Sequence, residues 1–210
     1  ESRRPHQLTS RVVAKGMSAE ILTIGHSNHT AERFLELLAG AGISLLVDVR
    51  SIPHSRWVPH FSRPRLQALL GEAGIAYEFQ GDALGGRPAR PELFRDGVAD
   101  YERMSAAPEF RAGLDRVRAA AVERRLALMC AERDPLDCHR ALLVGRALAE
   151  TGATVTHILA DGAEEPQAAL EERLLQLAGH DTPDLLASRE ARLDAAYRAR
   201  ARRGAFRVMS

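Results

Sequence analysis

Five short, mostly apolar runs punctuate residues 20–159, and between them apolar side chains recur at helical spacing. The first run is Glu20-Ile-Leu-Thr-Ile24, closed by Gly25. Thr30 is placed to N-cap a helix that carries Phe34, Leu37, Leu38 and Ala41 on one face, and Gly42 suits its stop. Ile43 to Val49 is apolar except for Asp48, the pattern of a parallel strand buried on both faces. Pro53 and Pro59 mark a long loop, after which Ser62 reads as the N-cap of a helix with Leu66, Leu69 and Leu70. Ile75-Ala-Tyr77-Glu-Phe79 alternates as a third strand. Residues 80–97 hold Gly85-Gly86-Arg87-Pro88 and Pro91 and read as an irregular insertion, a length of loop that is often functional. A short helix over Tyr101 to Met104 and a longer one from Pro108 precede the fourth strand, Leu126 to Cys130. Asp137 is expected to cap the next helix, with Leu142, Leu143, Leu148 and Ala149, ending at Gly152; Val155 to Leu159 is the fifth strand.

Strands alternating with helices predict an α/β domain over residues 17–162: a Rossmann-like, doubly wound, mostly parallel five-stranded sheet with helices on both faces. After Asp161-Gly162 the composition shifts. Residues 164–178 and 184–203 read as two helices of an arginine-rich C-terminal extension spanning 163–210. Its last helix bears Arg189, Arg192, Arg198, Arg200, Arg202 and Arg203. A solvated helix packed on the domain edge is the plainer reading; a nucleic-acid arm would want interleaved aromatics. Residues 1–16 are polar and basic without an apolar core segment, so they read as a disordered arm or as a leader before a natural start at Met17.

Composition narrows the chemistry. Of 29 Lys and Arg residues only Lys15 is lysine, so a P-loop and a Schiff-base lysine are both excluded. Arginine abundance in an alanine-rich chain reads first as biased coding composition. A net charge of +1 implies no global attraction to nucleic acid or membrane. Two cysteines make no disulfide framework, and no apolar run reaches the roughly 18 residues of a membrane span. The expectation is a soluble, cytoplasmic protein; oligomeric state is not legible.

In an open α/β sheet, ligands bind beyond the carboxyl ends of the strands. Here those ends carry Gly25-His26-Ser27-Asn28, Asp48-Val49-Arg50-Ser51, Gly85-Gly86-Arg87 and Cys130-Ala131-Glu132. Asp48 interrupts an apolar strand and needs a partner; Arg50, two residues on, shares its face. The pair is either structural or holds an arginine or histidine toward a ligand. Cys138, following a capping Asp137, would sit at a helix N-terminus that favours its thiolate, or else is a small buried thiol. His139 is a candidate acid or base, and Arg140 with the helix N–H groups forms an anion-binding corner. Cys130 reads as a core thiol, whereas Glu132 at a strand end suits acid–base work. The spacing Cys130-x7-Cys138-His139 is not a standard zinc knuckle, so no metal and no cofactor are expected. Asp48-Val49-Arg50 resembles the Asp-x-Arg strand of rhodaneses. Their cysteine loop ends on an arginine where this chain has Leu136, which argues against that chemistry.

Together, Thr23-Ile-Gly-His-Ser-Asn28, Leu46-Val-Asp-Val-Arg-Ser-Ile-Pro53, Leu84-Gly-Gly-Arg87 and Leu128-Met-Cys-Ala-Glu132 followed by Cys138-His-Arg140 resemble the family called domain of unknown function 488, over about residues 21–159. The resemblance implies a bacterial or archaeal α/β domain and marks the strand-end residues as its hallmark. It supplies no activity. The reading favoured is an enzyme, hydrolase or transferase, acting on a small anionic, nucleotide-like substrate. Glu132, His139, His26, Cys138 and Asp48 are its catalytic candidates, and Arg50, Arg140, Ser27, Asn28, Ser55, Gly85 and Gly86 its binding candidates. Two alternatives stand beside it: a nucleic-acid- or partner-binding module using the basic C-terminal helix, and a thiol redox switch at Cys138.

Overall fold

The computed structural model describes residues 19–181 and 187–208. The expectations on residues 1–16 and on a helix start at residue 184 lie outside them. The chain runs β1 (Glu20–Gly25), α1 (Ala31–Gly40), β2 (Leu45–Asp48), α2 (Arg63–Glu72), β3 (Ala76–Phe79) and a short α3 (Gly81–Leu84). The insertion then forms a small hairpin, β4 (Phe94–Arg95) and β5 (Val98–Ala99), before α4 (Tyr101–Ala106) and α5 (Pro108–Glu123). β6 (Leu126–Cys130), α6 (Arg146–Glu150), β7 (Thr154–Ile158), β8 (Glu164–Pro166), α7 (Gln167–Ala178) and α8 (Arg189–Gly204) complete it.

The sheet order is β3-β2-β6-β1-β7-β8, with every pair parallel except the last. Alternation along the strands divides two cores, as the pleat requires. Ile21, Leu45, Val47, Leu126 and Leu128 pack with α5 and the segment after β6 on one face. Leu22, Ile24, Leu46, Ala127 and Met129 pack with α1 and α2 on the other. This is the doubly wound, Rossmann-like α/β architecture, with six strands where five were expected. The sixth, β8, is Glu164-Glu165-Pro166, which carries no apolar signal; charge and proline suit an edge strand. The segment after Gly162 therefore adds a strand to the sheet as well as two helices beside it.

Several local signals hold. The Thr30 hydroxyl accepts from the Arg33 N–H, and Gly42 takes the left-handed φ of +66° that ends α1. Ser62 precedes α2 but makes no capping bond, because its hydroxyl binds the Ser55 N–H in the preceding loop. Asp137 is likewise not the cap expected of it. Asp134 accepts from Leu136 N–H and opens a 3-10 turn over Pro135–Asp137, which shifts the helix start by one residue. Cys138 stands extended (φ −132°, ψ 139°) in the capping position; its carbonyl accepts from Ala141 and Leu142. The helix then runs through a π-helical stretch, Arg140–Gly145, into α6. Such widened turns often accompany functional sites.

A buried polar relay fastens the C-terminal helices to the sheet. Thr23 Oγ1 lies 2.8 Å from His157 Nδ1, His157 Nε2 lies 2.8 Å from Gln167 Oε1, and Gln167 Nε2 donates to the Tyr197 hydroxyl at 2.6 Å. α8 is thereby seated on α7, with Ala196 and Tyr197 buried against Leu170 and Leu174. Its arginines are largely engaged: Arg189 pairs with Glu172, Arg198 with Glu102 and Arg200 with Asp137. Those carboxylates weaken the field the helix could offer a phosphate backbone. Among the described residues no helix is long and apolar enough to cross a membrane.

Candidate functional site

Because β6 lies between β2 and β1, the carboxyl ends of these three strands bring Arg50, Cys130 and His26 together. Asp48 is fully buried at the end of β2. Its Oδ1 accepts from Arg50 Nε at 2.9 Å and its Oδ2 from Arg50 Nη2 at 2.7 Å; Tyr77 donates to Oδ2 at 2.9 Å. This bidentate pair aims the remaining Arg50 amine at His26 Nε2, 3.1 Å away. The other ring nitrogen, Nδ1, lies 2.9 Å from the Ser27 carbonyl, which only accepts, so the proton sits on Nδ1 and Nε2 takes the arginine bond. Burial, then the Arg50 charge, push His26 down to about 4. The neutral ring has both nitrogens engaged, stacks on Phe61 at 4.4 Å and also lines the cleft.

The second cluster lies at the end of β6. Glu132 Oε2 is 3.1 Å from Cys130 Sγ and 2.8 Å from Cys138 Sγ. His139 Nδ1 is 3.6 Å from the first sulfur and 4.0 Å from the second. Its Nε2 lies 2.9 Å from the Val49 carbonyl and must carry the proton, which leaves the Nδ1 lone pair facing the sulfurs. One donor atom from each of Cys130, Glu132, Cys138 and His139 falls within 4.8 Å of every other. Both cysteines are free and buried; Glu132 is exposed as a residue, but its carboxyl end turns in against the two sulfurs.

Electrostatics separate the two thiols. Burial, with Cys138 and Glu132 alongside, pushes the Cys130 thiol up. Burial also raises Cys138, but the Cys130 hydrogen bond, the Arg140 charge and His139 outweigh it and hold that thiol below its ordinary range. For Glu132, burial and then the Cys138 charge raise the carboxyl. His139 is lowered by burial yet raised overall by Cys138, Glu132 and the Val49 carbonyl. The anion-holding role expected of Arg140 is not open to it. The side chain is fully buried, donates to the carbonyls of Glu132 (2.6 Å) and Arg133 (3.1 Å), and does not line the cleft.

Above both clusters lies a cleft of about 320 Å³. Its walls include Arg50, His54, Ser55, Arg87 and Phe206, and its floor includes Cys130, Glu132 and His139. Of the binding residues expected, Arg50, Ser55 and Gly86 line it, whereas Ser27, Asn28 and Gly85 do not. Ser27, in the left-handed region at φ 46°, bonds Asn28 instead. Gly86 is required by close approach: a Cβ there would lie 2.8 Å from the His139 ring carbon. Gly86→Ala is therefore expected to displace the imidazole and cost about 1–3 kcal/mol, the range for overpacking. Urea denaturation reads the energy and the His139 imidazole NMR resonances read the displacement; unchanged resonances would refute the contact.

Four residues of the site were not foreseen: His54 on the cleft wall, and Tyr101, Phe206 and Tyr77. Tyr101 lines the cleft, and burial together with Cys138, Cys130 and Glu132 raises its phenol. Phe206 returns to the rim because Val98 bridges to Arg207, and Arg87 sits over its ring at 5.1 Å. Tyr77, on β3, completes the Asp48 shell. The sequence signals available were only an aromatic after a loop and a short apolar tail.

A family model described as Domain of unknown function DUF488 matches residues 30–147, which include Asp48, Arg50 and the whole cysteine cluster. No curated protein and no solved structure matches the chain.

Proposed function

The chain belongs to the DUF488 family, and from that premise we propose that it is an enzyme, of hydrolase or transferase type, acting on a small anionic substrate held in the cleft beyond β1, β2 and β6. The observation that carries this reading is the convergence of Glu132, Cys138, Cys130 and His139 at the floor of that cleft. Isolated ionisable groups at strand ends are common; four donors facing one another beneath an open pocket are not needed for packing. The pocket's volume, about 320 Å³, suits a ligand no larger than a mononucleotide. Arg87 on the wall attracts the anion, His54 beside it offers a hydrogen bond, and Arg50 is held in place by Asp48. Glu132, the outward member of the floor, exchanges a proton with the substrate or its attacking water. Its contact with Cys138 keeps the carboxyl oriented for that transfer.

The test is turnover on a panel of phosphomonoesters, carboxylate esters and mononucleotides. Glu132→Gln should lower kcat about 100-fold, equivalent to about 2.7 kcal/mol, with the thermal midpoint nearly unchanged. His139→Ala should act in the same direction. Wild-type turnover surviving in both variants overturns the assignment.

A further inference from the structure

We propose that Cys130, Cys138 and His139 bind a zinc ion, with Glu132 at the fourth, cleft-facing position. The inference rests on the reading of this cleft as the working site and names the ion that its floor is built to hold. It runs against the expectation from spacing. The nine-residue stretch from Cys130 to Cys138 is no zinc knuckle, but the 3-10 turn over Pro135–Asp137 folds it back so that the two sulfurs face one another.

Three features independent of one another support it. The first is distance. A tetrahedral zinc with sulfur at 2.3 Å and nitrogen or oxygen near 2.0 Å sets ligand atoms about 3.3–3.8 Å apart. Four of the six pairs stand at 2.8, 3.1, 3.6 and 4.0 Å, so each of these four needs to move by less than about 1 Å, and all six lie within 4.8 Å. The second is the histidine tautomer. The Nε2–H donated to the Val49 carbonyl at 2.9 Å is the outer bond that metal-ligating imidazoles make, and it leaves the free lone pair on the nitrogen aimed at both sulfurs. The third is charge. Arg140 is fully buried, takes part in no carboxylate ion pair among the described residues, and has an Nε with no hydrogen-bond partner. An isolated buried cation is costly. Its backbone N–H points at Cys138 Sγ, 3.4 Å away. Two thiolates and a carboxylate around a divalent ion sum to one negative charge, and Arg140 is the buried cation that balances it. Both sulfurs bind as thiolates, so binding displaces whatever thiol proton the pair still holds.

Ligand type selects the ion. Two thiolates and an imidazole favour zinc over calcium, magnesium or manganese, which prefer all-oxygen shells. Three buried or half-buried ligands plus one that faces a cleft is the arrangement of a site with an exchangeable position.

The experiment uses the full chain kept reduced. Metal analysis of protein isolated from zinc-containing medium should find close to one zinc per chain. After chelator stripping, with folding checked by circular dichroism, Co²⁺ should raise near-ultraviolet sulfur-to-cobalt bands and visible bands of tetrahedral strength. Cys130→Ser and Cys138→Ser should each halve the sulfur-to-cobalt intensity and weaken zinc in chelator competition by roughly 100-fold or more. Glu132→Gln should keep one equivalent of cobalt with both sulfur bands. A folded, reduced wild type that shows no sulfur-to-cobalt bands overturns the proposal, as do bands that persist undiminished in both serine variants. Turnover that persists in Glu132→Gln while zinc stays bound defeats the catalytic reading alone. Turnover in a wild type that binds no zinc or cobalt defeats the zinc alone.

Discussion

Asp48→Ala is expected to lose about 3–5 kcal/mol in urea denaturation, because it leaves the Arg50 guanidinium buried without its counter-charge. That is a large share of the roughly 5–15 kcal/mol that holds a typical domain together. Asp48 is 0% exposed and Arg50 5% exposed, so water cannot take the carboxylate's place without opening the end of β2. The Tyr77 hydroxyl loses its acceptor as well, and Tyr77→Phe alone should cost about 1 kcal/mol. The decisive comparison is the double variant Asp48→Leu with Arg50→Met. It removes both charges, fills the same volume with apolar atoms, and should recover most of the loss. If the double variant is as unstable as Asp48→Ala, the cost comes from packing and the ion pair is not its source. The recovered fold would still be impaired at the cleft, since His26 Nε2 would no longer meet Arg50 and the wall would lose its fixed cation. Stability and ligand binding should therefore separate in that variant. Such a separation is expected where one pair both supports a strand end and aims a side chain.

The parallel strands were legible because burial on both faces leaves an apolar run, and Leu126 to Cys130 has the same bounds in the sequence pattern and in β6. Once strands were placed, the meeting of Asp48, Arg50 and His26 with the cysteine loop followed from strands ending on one rim. Other features depend on information the pattern lacks. β8 is two glutamates and a proline, and its pairing with β7 is set by the turn after Leu159, not by hydrophobicity. The cap moved from Asp137 to Cys138 because Asp134-Pro135 had already started a tighter turn. Competing caps three residues apart look alike in sequence. Arg140 could not be told from a surface arginine, since the choice depends on whether carbonyls await it inside. Gly25 held a partial clue. A Cβ there would lie 1.9 Å from the Glu132 carbonyl, so only glycine lets the loop that Arg140 clasps come so close. Phe206 reaches the rim through a contact about 100 residues away in the chain, and no local signal encodes it.

Acid should loosen the C-terminal helices through His157. In the folded chain His157 is fully buried, and burial lowers it from 6.5 to about 4. The Arg140 charge works the same way, while the Gln167 bond, Glu165 and Cys138 oppose it. In the unfolded chain the ring has its ordinary value near 6.5. Between these two values the unfolded state binds a proton that the folded state refuses, so stability falls as pH falls. It is fully present above about pH 7 and lost through the window down to about pH 4, at about 1.4 kcal/mol per unit and about 3 kcal/mol in all. The relay explains where the loss is felt. Protonated at Nδ1, the ring can no longer accept from the Thr23 hydroxyl, and the chain through Gln167 to Tyr197 is what seats α8 on the body. Equilibrium unfolding of wild type and His157→Gln at half-unit steps from pH 7.5 to 4.5 reads this directly. The variant should be weaker at pH 7.5 but shallower by one proton's slope between pH 6.5 and 4.5. His26 titrates with the same sign in both proteins, so it cancels in the difference. Parallel curves would show that His157 is not the acid-sensitive group. With the expected difference in slope, acid exchange of amide hydrogens should rise first in α8, whose far end leads to Phe206 at the rim of the cleft.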